Sequence, residues 1–145
     1  MTKMAAKGVV LGIEITATPG TYTPLAQVRG LSGPALAADV LDVTCHESPG
    51  FYRQKVSGLL DAGEVTLDLL FDPVEATQGD GVDGILALFD AGATHNFQIV
   101  WPDVALSEWD FAGIVSGYQP DAPVDDVLSA SVTITLTGQP DYSPV

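Results

Sequence analysis

The chain has 145 residues, of which 46% are hydrophobic, and this is enough for one domain with its own core. Nineteen acidic residues against five basic ones give a net charge of −14. This balance excludes a protein that grips nucleic acid, because such affinity depends on Lys and Arg neutralising phosphates. No apolar run approaches the roughly 18 residues of a membrane span. The N-terminal run at residues 9–13 is also shorter than the apolar core of a signal peptide.

Residues 1–8 are small or basic and are expected to form a flexible arm. After them, alternation of apolar and polar residues predicts seven β-strands. These cover residues 9–16, 25–31, 39–45, 64–72, 95–101, 107–118 and 127–138. Each has one apolar and one polar face, as strands of antiparallel sheets do. We therefore expect one mainly β domain over residues 1–145, built as a two-sheet antiparallel β-sandwich or flattened barrel.

One flanking α-helix is predicted after the fourth strand. Its apolar residues recur at the spacing of one helical face, at Val82, Ile85, Leu86 and Phe89. Asp80 and Asp83 are the candidate N-caps, and Gly92 is placed to end the helix. The glycines of residues 79–84 also match G-x-G-x-x-G. The start of the helix is the better explanation of these glycines, because Asp80 and Asp83 would repel a pyrophosphate.

A long loop, residues 46–57, separates the third and fourth predicted strands. It contains Arg53 and Lys55, two of the five basic residues, beside the aromatic residues Phe51 and Tyr52. A β framework that displays such a loop predicts contact with a partner rather than a catalytic pocket. The single cysteine, Cys45, continues the apolar phase of the preceding strand and is predicted to be a buried thiol.

The sequence contains few patterns that are typical of catalysis or of metal binding. The two histidines, His46 and His95, lie in no zinc-binding pattern, and no serine lies in G-x-S-x-G. We expect no enzyme, no metal and no cofactor. Two alternatives stay open. One is a carbohydrate- or calcium-binding β-sandwich, based on Trp101, Trp109, Tyr118 and the acidic residues Asp121, Asp125 and Asp126; the other is an acidic hydrolase.

The polar faces of two predicted strands carry acids and hydroxyls but no Lys or Arg. The residues are Glu64, Thr66, Asp68, Ser129, Ser131, Thr133 and Thr135. One interpretation is an ordinary solvated sheet face. The other is a surface past which a polyanion slides without sticking, since duplex DNA carries about one negative charge per 1.7 Å.

In their order and spacing, several segments resemble the tail tube (major tail) proteins of phages with long, non-contractile tails (siphophages). The resemblance covers roughly residues 8–140 and rests on short motifs on both sides of the long loop. They are Asp-Val-Thr at 42–44, Gly-Leu-Leu-Asp-Ala-Gly-Glu-Val-Thr at 58–66, Leu-Phe-Asp-Pro at 70–73, Phe-Gln-Ile at 97–99, Trp-Asp-Phe-Ala-Gly-Ile-Val at 109–115 and Thr-Leu-Thr-Gly at 135–138.

The resemblance implies a structural protein of the virion tail that forms stacked, hexameric rings around a lumen. Double-stranded DNA would pass through this lumen during ejection without specific binding. The loop at 46–57 would reach a neighbouring ring, with His46, Glu47, Phe51, Tyr52, Arg53 and Lys55 as its contact residues. The acidic and hydroxyl residues above would face the lumen. Further implied partners are a tape measure protein, a tail terminator and a distal tail protein, with assembly in the host cytoplasm.

Overall fold

The computed structural model describes residues 7–103 and 105–142, so most of the expected N-terminal arm lies outside the described residues. The elements in chain order are β1 (Val10–Glu14), β2 (Tyr22–Pro24), β3 (Val28–Ser32), β4 (Ala37–Asp42), β5 (Lys55–Asp61), β6 (Glu64–Leu70), α1 (Ile85–Ala91), β7 (His95–Val100), β8 (Glu108–Asp121) and β9 (Ser129–Asp141). The seven predicted strands are all present. The prediction missed β2 and β5.

Seven of the strands form one antiparallel sheet in the order β2-β1-β7-β8-β9-β6-β3, while β4 and β5 form a separate two-stranded sheet. The two edge strands of the large sheet, β2 and β3, are joined by residues 25–27 alone. Such a link spans at most about 14 Å, whereas seven flat strands would measure roughly 29 Å across. The sheet therefore curls until its edges meet.

Backbone hydrogen bonds close this flattened barrel. The link residue Leu25 donates its N–H to Leu11 O of β1 at 2.8 Å, and Leu70 N of β6 donates to Gln27 O at 2.9 Å. The predicted fold class is confirmed, with one difference: a single curled sheet supplies both layers. The long strands β8 and β9, with 14 and 13 residues, serve both layers. Their register shifts between Val115 and Gly117, as at a bulge that bends a strand.

The inward faces of the barrel form one hydrophobic core. Its residues are Leu11, Ile13, Leu25, Ala62, Val65, Leu67, Leu69, Ile85, Phe97, Ile99, Phe111, Val115, Ala130, Val132, Ile134 and Leu136. Phe97 and Phe111 stack at 5.7 Å between ring centroids. The alternation in the sequence predicted this buried face on β6, β7 and β9, and no residue of the β4–β5 sheet contributes to it.

The helix begins later than predicted. Its N-cap is Gly84, without a side-chain cap, and Val82 is 90% exposed. Asp83 has a positive φ of 61°, which is incompatible with a helical turn, and its carboxylate instead accepts hydrogen bonds from Thr16. The predicted end is confirmed, because Gly92 is left-handed and donates its N–H to Leu88 O. Among the described residues, no helix is long and apolar enough to cross a membrane.

The buried side chain of Gln78 forms hydrogen bonds where the barrel closes. The amide of Gln78 donates hydrogen bonds to Ala26 O and Leu70 O, both at 3.0 Å, and its Oε1 accepts one from Asp72 N at 3.0 Å. Gln78 therefore joins the link between the edge strands to the end of β6. Nothing in its local sequence pattern predicted this role.

Candidate subunit interfaces

The most distinctive surface is the β4–β5 hairpin, residues 37–61. Val40 lies opposite Ser57, Leu41 opposite Val56 and Asp42 opposite Lys55. The loop predicted at residues 46–57 is therefore wrong at both boundaries, since β4 ends at Asp42, β5 begins at Lys55 and the connecting loop is 43–54. The prediction missed β5 because Gly58 interrupts its apolar alternation.

The hairpin is unlike the other strands because its apolar residues are exposed. All of β4 is exposed, and in β5 only Gly58 is partly buried. Its exposed large apolar residues are Val40, Leu41, Val43, Phe51, Tyr52, Val56, Leu59 and Leu60. Val40 and Leu41 are consecutive and so point to opposite faces. An isolated two-stranded hairpin is marginal in water, and apolar patches of this kind mark interaction surfaces.

Cys45 is exposed, so the prediction of a buried thiol is wrong. The strand whose phase it continues belongs to the hairpin and not to the barrel. Period-two alternation shows which residues share a face, but it does not show whether another part of the chain covers that face. A hydrogen bond with the Ser48 hydroxyl, together with backbone N–H groups, lowers the pKa of the Cys45 thiol.

Polar contacts hold the base of the loop in place. Gln54 N donates to Thr44 Oγ1 at 2.8 Å, and Val43 N donates to Gln54 O at 2.9 Å. The Ser48 hydroxyl donates to Gln54 Oε1 at 2.9 Å. The side chain of Phe51 is fully exposed, and that of Tyr52 nearly so. The loop therefore presents two aromatic side chains on an ordered base.

The two basic residues of the hairpin face one carboxylate. Arg53 Nη1 lies 3.7 Å from Asp42 Oδ2, and Lys55 is the cross-strand neighbour of Asp42. Hydrogen bonds from Thr44, first from its hydroxyl, and the charge of Lys55 lower the pKa of Asp42. The ion pair is exposed and screened by solvent, so it contributes little to stability. With His46 and Glu47 also exposed, all six residues predicted for ring contact lie at the solvent-facing surface of the hairpin.

The residues predicted to face a lumen lie on two neighbouring strands. In the β6–β9 pair, Glu64 lies opposite Thr135, Thr66 opposite Thr133, Asp68 opposite Ser131 and Leu70 opposite Ser129. Since side chains of paired residues share a face, these seven residues form one outer surface, the acid–hydroxyl face. Ser116 of β8 extends it through a 2.8 Å contact with Thr135.

A second acidic group, which no pattern in the sequence predicted, lies on β1, β7 and β8. Gln98 Nε2 donates to Glu108 Oε2 at 3.1 Å and to Asp110 Oδ1 at 2.9 Å. Burial first, and then the negative charges of Asp110, Glu14 and Glu108, together raise the pKa of Tyr22 to about 12. Glu108 and Asp110 share one face of β8 by alternation, whereas Glu14 joins them only through the pairing of β1 with β7 and of β7 with β8.

The residues behind the alternative functions are used in packing. Trp101 and Trp109 meet edge-on at 5.2 Å, and Tyr118 packs edge-on against Phe71 at 6.2 Å. Residues 79–84 form the turns that lead into the seven-residue helix. Within residues 7–103 and 105–142, no group of three or more His, Cys, Asp or Glu side chains is arranged to hold a metal ion. The geometry gives no support to a carbohydrate site.

A family model described as lambda phage tail tube protein matches residues 14–143. No curated protein sequence matches the chain significantly. A chain from the tail of an empty gene transfer agent particle, refined with C6 symmetry, has a TM-score of 0.79 at 17% identity, covering 98% of this chain and 100% of that chain. For the SPP1 tail tube the TM-score is 0.68 at 12% identity, covering 94% and 77%.

A third similar structure is a chain of the PVC sheath-tube complex of an extracellular contractile injection system. Its TM-score is 0.66 at 11% identity, covering 94% of this chain and 88% of that chain. At these identities the likenesses concern the fold, which is the curled sheet described above. The family model, by contrast, spans most of the sequence. The chain therefore belongs to the lambda phage tail tube protein family and is a structural subunit of a phage tail tube.

Proposed function

We propose that six copies of this chain close into a ring and that the rings stack into a tube that conducts double-stranded DNA during ejection. The β4–β5 hairpin is the observation that carries this proposal. It extends apolar side chains on both faces outside the barrel core. Burial of those side chains by another subunit would stabilise the assembly by roughly 25 cal/mol for each Å² of apolar surface removed from water.

The size of the domain supports the proposed ring. A domain of this length has a radius of gyration of roughly 15 Å, so one copy cannot surround a DNA duplex. Several copies must therefore surround the duplex together. Closing them into a ring joins two different surfaces of identical subunits. The C6 symmetry of the gene transfer agent tail supports six copies.

The charge of the acid–hydroxyl face supports its proposed position at the lumen. The acid–hydroxyl face carries Glu64 and Asp68 among small hydroxyl residues, and β6 and β9 contain no Lys or Arg. A wall of this kind repels phosphates, so DNA moves along it without being trapped. We place this face toward the lumen. The role is structural and involves no catalysis.

The remaining proposed partners are those that the resemblance to tail tube proteins implies. A tape measure protein would occupy the lumen before DNA does, and a tail terminator and a distal tail protein would close the two ends. We place assembly in the host cytoplasm and the finished protein in the virion tail. Contacts at the tube ends would use the same hairpin and its counterpart surface, since these are left uncovered on the last rings.

Electron microscopy tests the ring and the tube directly. Purified protein, concentrated stepwise and viewed in negative stain, is expected to form hollow tubes with six-fold end views. Antibody labelling of virions is expected to mark the whole tail shaft. Protein that stays monomeric at every concentration, together with unlabelled tails, would overturn the proposal.

A further inference from the structure

A groove lies at the root of the β4–β5 hairpin, where the hairpin leaves the barrel. It has a volume of about 640 Å³. We call it the root groove. Its walls come from the two hairpin strands and from the end of β9, and they include Leu36, Ala38, Leu60, Asp61, Gln139 and Tyr142. Among the described residues that line the groove there is no Lys or Arg. Leu36 and Leu60 are both exposed in it, so the groove offers apolar surface that the chain itself leaves uncovered.

One wall of the groove is held firmly by the barrel. Tyr142 meets Trp109 edge-on at 4.9 Å, and Trp109 meets Trp101 at 5.2 Å. Pro140 is buried. The groove is therefore supported on its β9 side by an aromatic series. Its volume lies within the range of about 300–1,000 Å³ that is usual for binding pockets.

The loop at the other end of the hairpin carries aromatic and basic side chains that complement the root groove. Phe51 and Tyr52 extend from the loop, and Arg53 and Lys55 lie just behind them. Two aromatic rings suit an apolar groove of this volume, and the two cations suit its acidic member, Asp61. Arg53 and Lys55 share only Asp42 within their own hairpin, so charge remains for an outside carboxylate.

We propose that the hairpin loop of one copy inserts Phe51 and Tyr52 into the root groove of a copy in the adjoining ring. This inference rests on the proposed function and adds the surface that receives the loop. Loop and groove are different surfaces at opposite ends of one element. Their association is head-to-tail and does not close on itself, so it continues as a linear stack.

The hairpin also sets a limit on the spacing of the rings. The six residues of β4 span roughly 20 Å, and half of the loop at 43–54 adds at most about 20 Å. A loop that reaches the equivalent groove on the next copy therefore requires an axial repeat of no more than about 40 Å.

The single native cysteine allows a sharp cross-linking test. Cys45 lies in the loop, so Gln139→Cys creates the second thiol of a loop–groove pair. Tubes of this variant, treated with a short bis-maleimide cross-linker, are expected to give a ladder of covalent chains that continues beyond six subunits. The native chain, with one thiol per copy, gives dimers at most. The matched control is Thr94→Cys, an exposed position beyond α1.

Two further variants test the same contact without cross-linking. Ala38→Trp fills the groove, and Phe51→Ala with Tyr52→Ala removes the inserted rings. Both should raise the protein concentration needed for tube assembly at least tenfold while the monomer melts as the native chain does. Val82→Ala, at an equally exposed apolar position, should leave assembly unchanged.

The outcomes separate the two proposals. Native protein that forms no tubes overturns the proposed function and this inference with it. Native tubes overturn the inference alone if the Gln139→Cys ladder is absent, stops at six, or is matched by Thr94→Cys. An axial repeat well above 40 Å in cryo-electron microscopy of those tubes also overturns it.

Discussion

Leu41 lies directly opposite Val56 across the β4–β5 hairpin, and the two residues are 53% and 47% exposed. In the barrel, a cross-strand pair of this type, such as Leu67 and Val132, is fully buried. The hairpin thus has the composition of a core strand pair but lies outside the core. Its apolar residues are available to another subunit, and this availability connects the fold to the assembly of a tube.

Reversing both hairpin cations should weaken the stacking of rings. In Arg53→Glu with Lys55→Glu, attraction to acids of a neighbouring ring becomes repulsion. Exposed ion pairs are worth at most about 1 kcal/mol each, so we expect assembly to need roughly tenfold more protein. Sedimentation across a concentration series measures this, and melting by circular dichroism checks the fold. The exchange Arg53→Lys with Lys55→Arg keeps both charges and should assemble normally. Native assembly by the charge-reversed protein would exclude a docking role for these cations.

Lysines on the acid–hydroxyl face should slow DNA without preventing assembly. Thr66→Lys with Ser131→Lys places two cations on each subunit of the proposed lumen wall, where they attract phosphates. We expect complete tails with a several-fold lower ejection rate, measured as DNA release after receptor is added. Added salt should restore part of the rate.

The control for that experiment carries the same charge elsewhere. Thr18→Lys with Thr94→Lys adds two cations at exposed positions outside β6 and β9. It should eject at the native rate. Equal slowing by both double variants would show that this face does not line the lumen.

The turn at Gly63 determines how the hairpin joins the barrel. Gly63 has a φ of 73°, and a Cβ there would lie 2.2 Å from Ala35 O. Gly63→Ala should therefore lower the free energy of unfolding by about 3 kcal/mol or more, from strain and overlap together. Gly20 has a φ of 90° with nothing within 4 Å of such a Cβ. Gly20→Ala should cost only about 1–2 kcal/mol. Urea unfolding compares the two, and equal losses would show that the close approach to Ala35 is unimportant.

The buried amide of Gln78 should be required for closure of the barrel. In Gln78→Glu a carboxylate replaces the amide that donates to Ala26 O and Leu70 O. Loss of two donors and burial of a charge should lower the free energy of unfolding by about 3 kcal/mol or more. Gln119→Glu makes the same chemical change at an exposed position, where the expected effect is within about 0.5 kcal/mol. Similar melting temperatures for the two variants would contradict this role.

The phenol of Tyr22 should lose its proton at a higher pH than an ordinary tyrosine. Its pKa is raised from 10.0 to about 12, by burial first and then by Asp110, Glu14 and Glu108. The folded pKa lies above the unfolded one, so the stabilisation is complete below pH 10 and is lost as the pH rises through 12. Ultraviolet absorbance against pH measures the titration. Burial also raises the pKa of Tyr118, so Tyr22→Phe should remove the component that titrates near pH 12 and leave that of Tyr118.

The carboxylates near Tyr22 can be tested separately. Asp110→Asn should lower the pKa of Tyr22, and so should added salt, because both reduce the repulsion of the phenolate. Glu47→Gln removes the same charge from the hairpin loop and should leave the titration of Tyr22 unchanged. An unshifted titration in Asp110→Asn would show that the charge of Asp110 does not contribute to the raised pKa of Tyr22.

Local patterns in the sequence were sufficient for most of the elements. The alternation of Val65, Leu67 and Leu69 predicted the buried face of β6, and Gly92 predicted the end of the helix, because both depend on neighbours along the chain. The start of the helix was not predictable in this way. Asp83 leaves the helical conformation and bonds to Thr16, which is distant in sequence.

The sequence by itself determined the class of the fold, the strands with strong alternation, the charge of the surface and the family of the protein. Tertiary structure alone decided three further matters: that one sheet curls through Gln78 and residues 25–27 instead of splitting in two, that Cys45 and Leu41 are exposed, and that the two strands of the acid–hydroxyl face are adjacent. In each case the physical reason is that the feature depends on contacts between segments far apart in the chain. Alternation assigns side chains to the two faces of a strand, but it does not show which strands pair or which face is buried.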